Sequence, residues 1–499
     1  MKKMKKLVGI LLTLAMVVAM SITTFAANIT INGGAVGSKY AAYKLLNATD
    51  GGDGKYAYTL NSKYASILET ATGKNTEKEI VAYISGLNLP TSQETTRMFA
   101  DKIYAAIKTA KKDADYVLET SNTIEASTGY YLIVETSINT EGENKSYSLA
   151  MLGTVGNEGL NANVKKSVPS LEKKVKEKND SKNTETDWQD GADYDLNDAV
   201  PFKLKGTVPS DYASYQTYYY AFHDKMSNGL TFNNSVKVSV DGTEITSGYS
   251  VVTEGLTDGC TFEVRFNNLK DIEAVKAGST IEVEYTATLN NLAVIGSAGN
   301  PNEARLEYSN NPYGGGTGIT PWDKVIVFTY ELVANKVDGS NNPLEGAGFT
   351  LYKYDMATSN YVVVKEFAND EAGKEGKQTT FTFSRLDAGP YKLEESKVPD
   401  GYNKAEDLIF KVVAKYETNA DNPKFGELKI TDLNDKEITD KFTLNQTKDQ
   451  ATTNVVNLSG TELPSTGGMG TTILYVIGAI LVIGAGILLV TKKRMNANK

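Results

Sequence analysis

Ile281-Glu-Val-Glu-Tyr285 and Ala304-Arg-Leu-Glu-Tyr308 alternate apolar and charged residues with a period of two, the period of a strand that buries one face. The same pattern stands upstream in Ala199-Val-Pro-Phe-Lys-Leu204 and Val236-Lys-Val-Ser-Val240. Turn signals separate the runs at Asn228-Gly229, Asp241-Gly242 and Asn310-Asn-Pro312. Short strands at that spacing predict an antiparallel sandwich over residues 166–324.

Past Gly314-Gly-Gly-Thr-Gly318 the style repeats over residues 325–460, in Phe349-Thr-Leu-Tyr-Lys353, Thr380-Phe-Thr-Phe383 and Leu408-Ile-Phe-Lys-Val412. Residues 27–165 instead mix strand-like pieces, Tyr40 to Leu46 and Tyr130 to Glu135, with two helical candidates. One spans Ser62 to Leu87; the other spans Ser92 to Lys112, with Met98, Ile103, Ala106 and Ile107 on one face. Asn163 to Lys182 reads as a junction, broken by Val168-Pro169 and continued by a Lys/Glu run read as a solvated linker and strand start. The expected fold is all-β: tandem immunoglobulin-like β-sandwich domains in a rod, the N-terminal one carrying helical insertions.

Composition bounds the chemistry. Cys260 is the only cysteine, so no intramolecular disulfide can form. It lies in phase with Phe262, Val264 and Phe266 and is expected to be a small core residue. His223 is the only histidine, and one imidazole without a cysteine cluster supports neither a Ser–His–Asp triad nor a zinc site. No phosphate-cradling glycine motif is present. No enzyme, cofactor or metal is therefore expected, and a net charge of −9 argues against nucleic acid as a partner.

The two ends carry addresses. Residues 1–26 set a basic head (Lys2, Lys3, Lys5, Lys6) before an apolar stretch and a small-residue close, the layout of a signal peptide cleaved after Ala26. Residues 461–499 hold Leu463-Pro464-Ser465-Thr466-Gly467, an uncharged run from 471 to 490 long enough to span a bilayer, and a basic tail of Lys492, Lys493 and Arg494. This set resembles the sorting signal of proteins handled by sortases. The resemblance implies cleavage at Thr466–Gly467 and transfer of the Thr466 carbonyl to an amine, with a C-terminal transmembrane helix only in the precursor.

Two further stretches carry a resemblance. Leu393-Glu394-Glu395-Ser396-Lys397-Val398-Pro399-Asp400-Gly401-Tyr402 is similar to the E-x-x-A-P-x-G-Y signature of collagen-adhesin B-type (Cna B) domains, with Val398 in the Ala position. In that family a first-strand lysine and a last-strand asparagine fuse into an amide, catalysed by the motif glutamate. Carried over, the trio is Lys336, Glu395 and Asn457; Lys336 shares the phase of Leu332 and Ala334 on a strand read as Phe328 to Lys336.

The stretch from Tyr194 to Pro312 resembles the fimbrial isopeptide-forming domain, in which an aspartate replaces the glutamate. Lys173 is in phase with Leu171 and Val175, and Asn302 with Ala304, Leu306 and Tyr308. Asp224 is the expected acid, with Lys174 and Asp198 as rivals to Lys173 and Asp224. The first region has no lysine on its first strand, so no internal bond is expected there.

The second and third regions and both ends together resemble backbone pilins of Gram-positive bacteria, the first region only by its position. That resemblance implies a pilus subunit, exported and polymerised by a class C pilin sortase, then attached to peptidoglycan by a housekeeping sortase. Its partners would be other copies of itself and minor pilins. The inter-subunit lysine would be Lys165 or Lys166 in Asn163-Val-Lys-Lys-Ser167, which stands where the family has its Y-P-K-N motif; Lys165 is preferred because it follows Val164. The alternative is a wall-anchored adhesin or minor pilin that binds a host or community ligand and does not polymerise.

Overall fold

In the computed structural model, Thr280–Leu289 and Asn300–Ser309 bury every second side chain, and they lie in two different sheets around one core. The structure describes residues 26–87, 93–119, 122–179, 182–371, 375–446, 449–460, 475–483, 485 and 487. The signal peptide as far as Phe25, the sorting motif Leu463 to Gly467 and the basic tail lie outside the described residues, as does part of the span 471–490. Among the described residues no helix is long and apolar enough to cross a membrane.

In the second region one sheet runs in the order Thr243–Ile245, Leu230–Val240, Thr280–Leu289, Ala199–Thr207, Leu171–Val175. The other runs Gly191–Asp193, Asp323–Phe328, Asn300–Ser309, Tyr220–Met226, Phe262–Phe266, Ser250–Val252. Phe202, Phe222, Phe262, Tyr285 and Leu306 fill the space between them. Asp241 and Gly242, both at positive φ, turn Leu230–Val240 back onto Thr243–Ile245, which is the backbone a two-residue hairpin needs.

The third region has a four-stranded sheet, Thr380–Leu386, Tyr330–Asp338, Gln450–Asn457, Phe442–Asn445. Against it packs a five-stranded sheet, Asn360–Phe367, Gly348–Asp355, Gly389–Lys397, Leu408–Tyr416, Phe425–Thr431. Its first strand, Tyr330–Asp338, pairs in parallel with its last, Gln450–Asn457. The single strand expected from Phe328 to Lys336 is in fact two. Asp323–Phe328 stays in the second region's sheet, and pairing passes to the third region at Thr329.

The first region pairs Ala26–Asn32 with Thr123–Ser127 and Leu160–Asn163, and stacks Tyr56–Leu60, Lys39–Asp50, Gly129–Ser137 and Met151–Val155 in a second sheet. The helix expected over Ser62 to Leu87 is two helices, Ala65–Thr72 and Glu77–Ser85. Gly73 ends the first in the left-handed conformation, and the Thr76 hydroxyl accepts the Glu79 N–H to start the second. On Gln93–Thr109 the buried face is Phe99, Ala100, Ile103 and Ile107; Met98 points to solvent.

Two other expectations are corrected. Cys260 is only partly buried, in the turn before Phe262–Phe266, where its thiol donates to Asp258 Oδ2 at 3.1 Å. The Lys/Glu run after Val168 is not a solvated linker: Lys173, Val175 and Glu177 are buried, because Leu171–Val175 is already a strand of the second region's sheet.

Candidate functional site

Tyr330–Asp338 brings Lys336 to the core with its side chain fully buried. The parallel neighbour Gln450–Asn457 delivers Asn457, and Gly389–Lys397 of the facing sheet delivers Glu395. Lys336 Nζ donates to Asn457 Oδ1 at 2.6 Å and to the Val455 carbonyl at 2.8 Å. Asn457 Nδ2 in turn donates to Glu395 Oε1 at 2.8 Å, and that oxygen lies 3.6 Å from Lys336 Nζ. The Ala405 N–H holds the other Glu395 oxygen at 2.8 Å. Burial holds the Lys336 ammonium below its ordinary pKa, with Glu395 opposing. The glutamate thus sits on the amide nitrogen, and the lysine on the amide carbonyl.

The second site spans two sheets. Lys173 comes from Leu171–Val175, while Asp224 and Asn302 come from neighbouring strands of the opposite sheet. All three side chains are fully buried. Lys173 Nζ donates to Asp224 Oδ2 at 2.5 Å and to the Tyr285 hydroxyl at 2.6 Å. Tyr285 donates to the same Asp224 oxygen at 2.5 Å and accepts Asn302 Nδ2 at 3.0 Å. Burial lowers the Lys173 pKa and raises those of Asp224 and Tyr285, so the pair is driven toward neutral amine and neutral acid. Lys174 points elsewhere, to Asp190 at 2.6 Å, and Asp198 caps the Asp195 N–H at 3.2 Å in a turn.

Tyr285 is the residue that the sequence reading missed. It occupies a core phase of Ile281-Glu-Val-Glu-Tyr285, where a packing tyrosine and a proton-relaying one have the same signature. In the first region the buried acid is Glu135, which takes the Tyr40 hydroxyl at 3.0 Å and the Ser148 N–H at 2.6 Å, while Lys44 reaches Ser127 instead.

Lys165 and Lys166 are both exposed. Lys165 is fixed by its backbone, which exchanges hydrogen bonds with Leu149 and Ser148. It lines a groove of about 480 Å³ between the first two regions, together with Arg97, Leu149, Leu160, Asn163 and Asp211. Burial raises the Asp211 carboxyl to about 6.

Comparison with known proteins gives three family matches along the chain. Residues 196–312 match the Gram-positive pilin backbone subunit 2, Cna-B-like domain; residues 331–424 match the prealbumin-like fold domain SpaA; residues 459–497 match the LPXTG cell wall anchor motif. The chain is 28% identical to the trypsin-resistant surface T6 protein of Streptococcus pyogenes, over 87% of this chain and 89% of that one. The structure of the T6 backbone pilin of serotype M6 Streptococcus pyogenes, described as a modular three-domain structure, superposes with a TM-score of 0.53 at 21% identity, covering 87% of this chain and 99% of that one. The full-length major pilin SpaD of Corynebacterium diphtheriae gives a TM-score of 0.43 at 17% identity, over 88% and 98% of the two chains. With these matches to backbone pilins, the chain is a structural subunit that polymerises with its own kind into a sortase-assembled pilus anchored to the cell wall through its LPXTG motif.

Proposed function

We propose that this pilus subunit cross-links itself twice, through amides between Lys336 and Asn457 and between Lys173 and Asn302. The carrying observation is the closed triangle of Lys336, Asn457 and Glu395, with each contact inside a dry core. The neutral Lys336 Nζ attacks Asn457 Cγ; Glu395 takes a proton from Nζ and passes one to Nδ2, which leaves as ammonia. In the second region Asp224 takes the Lys173 proton, and the Tyr285 hydroxyl relays one to Asn302 Nδ2. Holding amine and amide in contact replaces a large part of the barrier that the same reaction meets in solution. The modules so locked are residues 166–324 and 325–460, behind a first module of 27–165 and a signal peptide of 1–26. The mass of the mature chain should fall by one ammonia per bond; a mass equal to the plain sequence refutes both.

Between subunits, Lys165 is the proposed acceptor of the Thr466 acyl group delivered by a class C pilin sortase. The groove that it lines supports the choice over Lys166, since an extended segment ending at Thr466 needs such a seat. A housekeeping sortase then transfers the finished polymer to peptidoglycan, and minor pilins join by the same chemistry. Peptide mapping of fibres should find Thr466 branched onto Lys165. Lys165→Arg should abolish the high-mass ladder of boiled wall extracts, whereas Lys166→Arg should keep it; the reverse result moves the role to Lys166.

A further inference from the structure

The chain's only histidine takes no part in the cross-linking chemistry, yet it is among its most enclosed charged groups. His223 stands on Tyr220–Met226, one residue from Asp224, and alternation turns it to the face of the sheet opposite the core. There it is only 6% exposed. Its Nδ1 lies 2.8 Å from Asp258 Oδ2 and 3.3 Å from Glu263 Oε1, and its Nε2 lies 3.3 Å from Glu307 Oε2. Both ring nitrogens therefore face carboxylate oxygens, and an imidazole offers a donor on each side only when it carries the second proton.

Charge balance agrees with that geometry. The neighbouring strand Phe262–Phe266 supplies Glu263 with Arg265 paired to it, and Asn300–Ser309 supplies Arg305 and Glu307. Arg305 also reaches Asp258 Oδ2, at 3.3 Å, with its guanidinium over the Trp322 ring. The Cys260 thiol donates to the same Asp258 oxygen as a neutral group. On the histidine's own strand Lys225 is taken by Glu303 at 3.1 Å. Three carboxylates thus meet two guanidiniums, and the imidazolium is the third cation; without its proton the enclosed group keeps an uncompensated negative charge. Burial opposes the charged ring, but Glu307, Glu263 and Asp258 together hold its pKa above the ordinary 6.5, and the ring in turn holds Glu307 below the usual carboxylate range.

Glu263 and Glu307 are fixed on strands, whereas Asp258 belongs to residues 253–261, which join Ser250–Val252 to Phe262–Phe266 without forming a strand. Its side chain is already 20% exposed, so it is the carboxylate that can turn to water when the balance is lost. We propose that the His223 imidazolium is a pH-sensitive latch, which pins residues 253–261 to the sheet through Asp258 and loosens them when it gives up its proton. The latch is closed while the ring is charged and opens as pH rises through the ring's midpoint. Opening is local: Arg305 stays within reach of Asp258, and the Thr261 N–H remains on the Asp224 carbonyl at 2.7 Å, so the end of the segment nearest the sheet is still tied.

The test is NMR on the mature chain, in which a single imidazole signal needs no assignment. We expect it to titrate with a midpoint above 6.5. The methyl signals of Leu256, inside the segment, should shift and sharpen with that same midpoint. Asp258→Asn should lower the imidazole midpoint toward 6.5, a change that a merely space-filling histidine would not show. His223→Gln should leave the Leu256 signals independent of pH and already in their alkaline position. Should that variant fail to fold, the wild-type and Asp258→Asn titrations decide the matter by themselves. A wild-type midpoint at or below 6.5, a midpoint indifferent to Asp258→Asn, or Leu256 signals that ignore the imidazole overturns the latch.

Discussion

The second and third regions use the same three functional groups but place them differently in the sheets. In the third region the lysine and asparagine sit on neighbouring parallel strands of one sheet, with the acid reaching across from the other. In the second region lysine and asparagine face each other across the core, and a tyrosine bridges acid and amide. The consequence is mechanical. A Lys336–Asn457 amide lets tension enter at Tyr330 and leave at the chain's C-terminal end, bypassing everything from 337 to 456. A Lys173–Asn302 amide leaves residues 303–328 in the load path, held by the antiparallel pairing of Asn300–Ser309 with Asp323–Phe328.

The largest expected effect comes from opening the bypass that is complete. Glu395→Ala should retain one more ammonia than wild type and expose the whole third region to unravelling under load. It should also cost about 3–5 kcal/mol, because Lys336 stays buried without its acid. Force spectroscopy and intact mass measure both. Asp224→Ala should do the same to the second region, and a variant whose mass is unchanged removes that acid from the comparison.

The intact molecule should also reveal the difference. Single fibres pulled hard enough should give one extension step per subunit from residues 303–328, roughly 80 Å by the reach of an extended chain. The third region should give none. Steps of full-domain length from either region would mean that its amide is absent.

Tyr285→Phe sharpens the chemistry at smaller cost. It removes the hydroxyl that joins Asp224 to Asn302 while leaving the ring against Phe202, Phe232 and Phe262. Amide formation in the second region should slow by about a hundredfold, a typical contribution of a positioned proton carrier, with the third region unaffected. Time-resolved intact mass after synthesis reads this, and equal rates in the two proteins would leave Tyr285 a packing residue.

How far this contrast could be read in advance varied with the kind of signal. Lys173, Asn302 and Lys336 were legible because a charged or amide side chain in phase with apolar neighbours has nowhere to go but inward. Strand identity was legible wherever one face is buried, as in Asn300–Ser309. The break at Thr329 was not, since continuous apolar phase runs through Phe328 and Tyr330 and only pairing partners separate the two strands. The split of the first helix was available in Gly73 and in the spacing of Thr76 and Glu79.

The regions differ finally in how they treat a buried acid, and this gives the smallest effect. Asp224 has Lys173 and Tyr285 as partners. Asp449, at the start of the third region's last strand, is fully buried, and neither of its carboxylate oxygens has a hydrogen-bond partner. Burial pushes its pKa up from 3.8 to about 7. Between those values the folded chain holds a proton that the unfolded chain has released, so stability falls as pH rises from about 4 to about 7 and stays low above it. Asp449→Asn removes that charge without changing shape. It should leave stability at pH 4 nearly unchanged and raise it at pH 8, by no more than the ~4 kcal/mol to which a shift of this size corresponds. Denaturant midpoints at the two pH values measure it in Glu395→Ala, where the missing amide keeps unfolding reversible. An unchanged slope of stability with pH in Asp449→Asn would mean that the carboxylate is already solvated, and that the third region, like the second, compensates its buried acid.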